Sequence, residues 1–331
     1  FVDLISITHP DTLTDIHRQF LTAGADIIET NTFGATKIGM ADFDLPDLVY
    51  DLNIAAATCA RRAADEFTND NPDKPRFVAG SIGPTTKTCS ISPKIEDPGF
   101  REVIFTEHVD SYYGQISALV AGGVDILFPE TTFDTLNLKA CLFAIRKYFL
   151  DHNTSLPVMA SFTITDEAGR TLTGQTVEAL WNSLSHFDLL SVGINCALGA
   201  EKMRPYIEEL SRLAPVHISC HPNAGLPNEF GGFDQTPSEM SQQIGAFLEN
   251  RWVNIIGGCC GTTPEYIAAI AQAAENAAPR EVPTVQQLTR LSGQEALTLR
   301  SDSNFLMIGE RTNVTGSRKF ARLIRDELYE E

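Results

Sequence analysis

The segment GGCCGTTP (257–264) sets two adjacent cysteines, Cys259 and Cys260, among glycines, after a hydrophobic run and ahead of a helix start. A third cysteine, Cys196, closes another apolar run, LLSVGINC (189–196). Three thiolates brought together suit a soft divalent cation such as zinc, and they leave its fourth position open, which is the habit of catalytic rather than structural sites. The same residues also admit a strained vicinal disulfide or inert packing in a core. Thr263 fits an N-cap and Pro264 a first helical residue, so the helix that follows would favour negative sulfur.

Other residues offer less specific chemistry. Glu29 and Glu130 end the apolar runs ADIIET and VDILFPE, where a carboxylate can receive an ammonium group or merely face solvent. In HISCH (217–221) a strand would place His217 and His221 on one face and Cys220 on the other, so the three are not expected to share a metal. GSIGPTTKT (80–88) lacks the G-K-[ST] ending of a phosphate loop and reads as an ordinary connection. ASFTITDEAGRTLTGQT (160–176) is polar and turn-rich, and the sequons at Asn153 and Asn313 carry no information in an intracellular chain.

The elements that must position these residues follow from a repeated alternation. Seven short, near-continuous apolar runs, at 25–30, 76–83, 124–130, 156–164, 189–196, 215–220 and 253–260, read as parallel strands buried on both faces. Between them lie stretches with helical spacing, such as Leu13, Ile16, Phe20 and Leu21, or Ile207, Leu210 and Leu213. The pattern predicts an α/β fold, a (β/α)8 TIM-type barrel, because an open doubly wound sheet normally carries a G-x-G-x-x-G turn that is missing here. Its first strand is expected upstream of Phe1, since FVDLISIT (1–8) makes a poor strand.

Domain boundaries are expected at 1–280 for the barrel and 281–303 for a Pro-rich, polar linker, with 304–331 opening a second, truncated domain as one strand, a loop and a helix. In such a barrel the site lies at the C-terminal strand ends. Here these are Glu29–Asn31, Gly83–Thr85, Glu130–Thr131, Thr163–Asp166, Asn195–Cys196, His221–Asn223 and Gly258–Cys260. Cys196 and the 259/260 pair end the expected sixth and eighth strands, separated by a single strand, so they can meet.

A formal charge of −18 over 331 residues excludes the basic footprint of a nucleic-acid binder and disfavours an anionic membrane surface. No signal peptide and no long apolar run is present. Seven scattered cysteines, an odd number, make no disulfide framework, and a reducing cytoplasm is expected.

Taken together, GADIIETNTF, VAGSIGPTTKT, ETTFDTLNLKA, GRTLTGQT, GINCALG, HPNAGLPN and GGCCGTTP resemble the homocysteine-binding domain of the cobalamin-dependent methionine synthases, in order over residues 1–280. GERTNVTGSRKF (309–320) is similar to the opening of the folate-binding barrel that follows in that family. The resemblance implies a methyltransferase in which Cys196, Cys259 and Cys260 bind zinc, homocysteine sulfur takes the open position, and Glu130 holds the substrate amino group. It further implies methylcobalamin as donor, regenerated from 5-methyltetrahydrofolate, with both cofactors held by folate, cobalamin and reactivation domains of the same polypeptide. Two alternatives stand beside it: a stand-alone homocysteine S-methyltransferase using a sulfonium or betaine donor, and a zinc-stabilised scaffold barrel.

Overall fold

The structure is a computed structural model that describes residues 1–165, 168–309, 313–329 and 331. It divides into two units, Phe1–Leu297 and Thr298–Glu331. A 3-10 turn at Val2–Leu4 opens the first unit and leads into α1 (Ile5–Thr8), α2 (Pro10–Thr22) and β1 (Ile27–Glu29). Then come α3 (Lys37–Ala41), α4 (Val49–Asp70), β2 (Phe77–Ile82), α5 (Phe105–Ala121), β3 (Ile126–Pro129), α6 (Thr135–His152) and β4 (Met159–Phe162). The remaining barrel elements are α7 (Val177–Leu184), β5 (Ser191–Gly199), α8 (Ala200–Leu213), β6 (His217–Asn223), α9 (Pro237–Glu249), β7 (Ile255–Ile256) and α10 (Pro264–Ala274).

All seven expected strands form, and each pairs in parallel with the next in sequence. Ladders join β1 to β2 to β3 and β4 to β5 to β6 to β7. Parallel bridges Leu127–Val158 and Thr132–Phe162 carry β3 onto β4. Helices return the chain between strands, as parallel pairing requires. The segment FVDLISIT is helical rather than a strand. Phe1 and Leu4 pack on Ala35, Met40, Val49 and Leu52, and the Asp3 carboxylate accepts the Gly34 N–H at 3.0 Å.

Period-2 alternation splits each strand between two environments. Ile28, Val78, Leu127, Ala160, Phe162, Val192, Ile194 and Ile218 face outward into the helix–sheet core. The opposite parity faces a lumen filled low down by Ile27, Ala79, Ile126, Phe128, Met159 and Ile255. Towards the C-terminal strand ends the same parity turns polar, through Ser81, Glu130, Ser161, Asn195 and His221. An apolar base and a polar mouth thus come from one alternation. The helix ends carry their own local signals: Asp134 accepts the Leu136 N–H ahead of α6, Asn153 takes a left-handed C-cap, and Thr236 with Glu239 forms a capping box ahead of α9.

Gly193 is the tightest point of the sheet. A Cβ there would lie 2.0 Å from Ser219 Oγ and 2.2 Å from the Ser219 carbonyl oxygen on the neighbouring strand. Backbone cannot move aside, so Gly193→Ala is expected to destabilise the barrel by about 3 kcal/mol or more, as severe overpacking does. Urea unfolding checks this; an unchanged midpoint would contradict the registered β5–β6 packing.

Within the segment expected as linker, residues 292–295 lie against the loop preceding α7. The Thr176 N–H donates to the Gln294 carbonyl at 3.0 Å, Gln175 Nε2 to Gly293 O at 2.8 Å, and Ser292 Oγ to Ala179 O at 2.5 Å. Earlier, the buried Arg280 donates to the carbonyls of Ser211, Ala214 and Val216. Two short strands, β8 (Thr289–Ser292) and β9 (Ala296–Leu299), occur here, the second running across the boundary of the first unit. In the second unit the expected helix is present as α11 (Arg318–Arg325), whereas residues 304–309 take no strand. A lone strand lacks the paired neighbours that stabilise it. Glu310, Arg311 and Thr312 of the GERTNVTGSRKF motif, and Asp166 of the rim, lie outside the described residues.

Candidate metal centre

Cys196 owes its position to a defect in β5. The β5–β6 register runs from Ser191–His217 to Asn195–His221, then breaks and resumes at Gly199–Asn223. The extra residues form a bulge, a device that re-aims side chains at strand ends. Within it Cys196 has φ 62° and Ala197 φ 59°. Two successive non-glycine residues in the left-handed region cost on the order of 1–3 kcal/mol each and persist only where surroundings hold them.

The 259/260 pair is held by the end of β6. The Gly257 N–H donates to Cys220 O at 3.1 Å, Cys259 N–H to Pro222 O at 2.8 Å, and Ala224 N–H to Cys260 O at 2.9 Å. The Cys260 N–H adds a bond to Asn223 Oδ1 at 3.1 Å. Both flanking glycines are needed. A Cβ on Gly258 would meet the Thr262 side chain at 2.4 Å, and Gly261, at φ 79°, lies against the Phe233 ring. Thr263 is the N-cap of α10 and Pro264 its first residue, as the sequence predicts, but the Thr263 hydroxyl bonds Glu265 rather than a helix N–H.

The three sulfurs lie within 4.8 Å of one another. Cys196 Sγ is 3.6 Å from Cys260 Sγ, which is 3.9 Å from Cys259 Sγ. All three cysteines are free, so the vicinal pair is not a disulfide. Two sulfurs each ~2.3 Å from one tetrahedral ion stand about 3.8 Å apart, and the observed spacings bracket that value. Donors from Cys259, then Cys260, hold the Cys196 thiol down to about 2, while Cys196 in turn pushes both partners up. A divalent cation among the three would favour the thiolate form of each. Cys260 is exposed and the other two half-buried, which leaves one side open. Among the described residues this is the one group of three or more His, Cys, Asp or Glu side chains spaced to hold a metal ion.

Beneath the sulfurs lies Glu130, buried at the end of β3. Ser81 Oγ donates to its Oε1 at 2.5 Å. Burial first, then the neighbouring Cys196, pushes the Glu130 carboxyl up to about 7 against the opposing effect of Ser81. Glu29 is reached by solvent through the mouth, yet protein crowds it enough that lost solvation, then the Glu130 charge, drive its carboxyl well above the usual range. Two acids and three thiols therefore share one mouth.

The sequence pattern of the homocysteine S-methyltransferases matches residues 2–274. The chain belongs to the homocysteine S-methyltransferase family. Its fold matches the homocysteine methyltransferase MmuM from Escherichia coli. The metallated form aligns with TM-score 0.64 and 23% identity over 81% of this chain and 86% of that one. The oxidized form aligns at 0.64 and 22% over the same shares, and the apo form at 0.62 and 22% over 82% and 88%.

The remaining candidates sort by strand parity. His221 faces the lumen, its ring 5.7 Å from that of Phe128, and burial pushes it down to about 4, so it stays neutral. Cys220 points the other way, its thiol 3.9 Å from Met203 Sδ in the core, and His217 is exposed at the start of β6. HISCH is thus a strand and no ligand set. Lys87 of GSIGPTTKT pairs with Glu102 at 2.9 Å and Asp42 at 3.8 Å, which suits a connection and not a phosphate cradle. No helix among the described residues is long and apolar enough to cross a membrane.

Sequence reasoning named Asn195 only as a rim residue and passed over Ser81 and Ser161. All three are buried, and Ser161 Oγ donates to Asn195 Oδ1 at 2.7 Å. The signal was available: each is a polar residue at lumen parity late in an otherwise apolar strand.

Proposed function

We propose that this chain activates homocysteine for methylation to methionine, with zinc held by Cys196, Cys259 and Cys260 and the substrate ammonium held by Glu130. The sulfur trio on the barrel rim, within 4.8 Å and open on one side, carries the reading. A free alkyl thiol has a pKa of about 8.5 and is mostly protonated at neutral pH. Zinc, when bound, supplies the Lewis acidity that removes the thiol proton. The protein's own part is to fix three thiolates through the β5 bulge and the β6-anchored loop, and to place a carboxylate one layer below. In the net reaction the thiol proton leaves to solvent, an S–CH3 bond forms, and the donor's bond to that methyl breaks.

For the donor we infer methylcobalamin, regenerated from 5-methyltetrahydrofolate, as in the cobalamin-dependent methionine synthases. The support is the resemblance of residues 309–320 to the opening of a folate-binding module. On this reading 1–280 is the homocysteine and zinc barrel, 281–303 the linker and 304–331 the start of the folate domain, whose partners are further domains of one polypeptide in the cytoplasm. A sulfonium or betaine donor is the second reading. It is favoured by the family match and by the fit to a homocysteine methyltransferase over 86% of that chain's length.

Two measurements test the proposal. Zinc-edge X-ray absorption should show three sulfur neighbours and a light atom, changing to four sulfurs when homocysteine is added; an unchanging, closed site would instead mark a scaffold. Methionine formation from homocysteine, assayed with methylcobalamin and with an S-methyl sulfonium compound in turn, decides the donor. Turnover with the sulfonium alone would overturn the cobalamin assignment.

A further inference from the structure

The side chain of Asn195 lies between the two halves of the site and touches both. It is 1% exposed. Its Oδ1 accepts the Thr131 N–H at 2.9 Å and the Ser161 hydroxyl at 2.7 Å. Its Nδ2 donates to Thr131 Oγ1 at 2.7 Å and also faces Glu130 Oε2 at 3.4 Å and Cys259 Sγ at 3.9 Å. The orientation of the amide is forced, because the Thr131 N–H can only donate and so must meet the oxygen.

Thr131 gives these bonds a purpose. It has φ 54°, left-handed, which is a true outlier for a β-branched residue and needs its surroundings to hold it. Asn195 grips it twice, at the backbone N–H and at the hydroxyl, directly next to Glu130. Asn195 itself precedes Cys196, which is also left-handed. One planar amide, carried by the residue before the strained Cys196, therefore braces the strained strand end that bears the carboxylate and lies against the Cys259 sulfur.

We propose that Asn195 is the positioning residue that fixes the spacing between the thiol-binding sulfurs and the ammonium-binding carboxylate, and so selects the chain length of the amino-acid thiol. Homocysteine carries one methylene more than cysteine between sulfur and α-carbon. A rigid spacer admits the longer molecule at both ends and leaves the shorter one short of one of them. A loose spacer lets Glu130 follow either. The proposal rests on the assignment of sulfur to the cysteine trio and ammonium to Glu130.

The test is calorimetric titration of the full zinc-loaded chain with homocysteine, with cysteine and with 1-propanethiol, which has no amino group. Asn195→Ala is expected to raise the homocysteine Kd about tenfold, the scale of a lost buried hydrogen-bond set. The propanethiol Kd should stay within about twofold, and the preference for homocysteine over cysteine should collapse towards unity. An equal loss for all three thiols would make Asn195 a support of the metal centre alone and overturn the proposal, as would an unchanged preference. Ser161→Ala removes one donor from the amide without touching strand geometry, and it carries the test if Asn195→Ala does not fold. There the homocysteine Kd should rise about threefold with propanethiol unaffected, and no change overturns the proposal. Failure of the underlying assignment is visible separately, in the parent protein, as loss of one-to-one zinc or as equal affinity for homocysteine and propanethiol.

Discussion

Cys196→Ala is expected to abolish one-to-one zinc binding and, with it, methyl transfer. The trio offers three of the four positions of a tetrahedral ion, and its sulfurs already stand at 3.6 and 3.9 Å, so little rearrangement is needed to bind. Structural zinc sites with four protein ligands are worth roughly 10–16 kcal/mol at neutral pH, which sets the scale of a few kcal/mol for each ligand. Losing one thiolate of three should cost about three orders of magnitude in affinity or more. Alanine also leaves φ 62° occupied by a residue that gains nothing from it. Metal content after exhaustive dialysis gives the answer. A variant that still holds one zinc per chain would remove Cys196 from the ligand set and the proposed function with it.

The second large effect is expected at Glu130, where binding and stability should move in opposite directions. Glu130→Gln keeps the acceptor for the Ser81 hydroxyl but removes the charge proposed to hold the substrate ammonium. Truncating one partner of a buried charge pair costs about 2–5 kcal/mol, so the homocysteine Kd should rise roughly 30-fold to several thousand-fold. For folding the sign reverses. Burial pushes the folded carboxyl up to about 7 from the ordinary 4.5 of the unfolded chain, so the ionised form is disfavoured in the folded state. Above pH 7 this costs the parent stability of up to about 3 kcal/mol, and the cost fades as pH falls from about 7 to 4.5. Glu130→Gln should therefore melt higher than the parent at pH 8, with the difference closing near pH 5. In the parent, homocysteine affinity should weaken as pH falls through about 7. A variant that is less stable at pH 8 would show that Glu130 contributes to the fold and is not held at a cost for binding.

Left-handed backbone recurs around the mouth. Thr131, Cys196 and Ala197 all adopt left-handed backbone, and all three lie at the C-terminal strand ends beside the sulfurs. The base of the lumen, filled by Ile126, Phe128, Met159 and Ile255, has no such outliers. Among the strands and their immediate ends, the left-handed residues thus gather at the end of the barrel that carries the sulfurs.

Much of this architecture was legible in the chain itself. Seven apolar runs became β1 to β7 because β-branched residues bounded by turn signals have few other ways to bury both faces. Thr263 and Pro264 marked the start of α10 for reasons local to one turn of helix. The same local logic misjudged residues 304–309, since apolar content makes a strand only where a neighbour supplies the ladder.

The sequence determined the alternation of strands and helices, the end of the barrel where polar groups gather, and the residue types able to bind a soft metal. Parity within a strand settled even the fate of HISCH. Only the tertiary structure decided which of those residues meet. Cys196 is 63 residues away from Cys259, and their encounter depends on β6 lying between β5 and β7 and on a bulge that no local pattern announces. Asn195 acquires its role solely through contacts with three other strand ends. Periodicity is a property of neighbours along the chain, whereas a metal site and its brace are properties of neighbours across it.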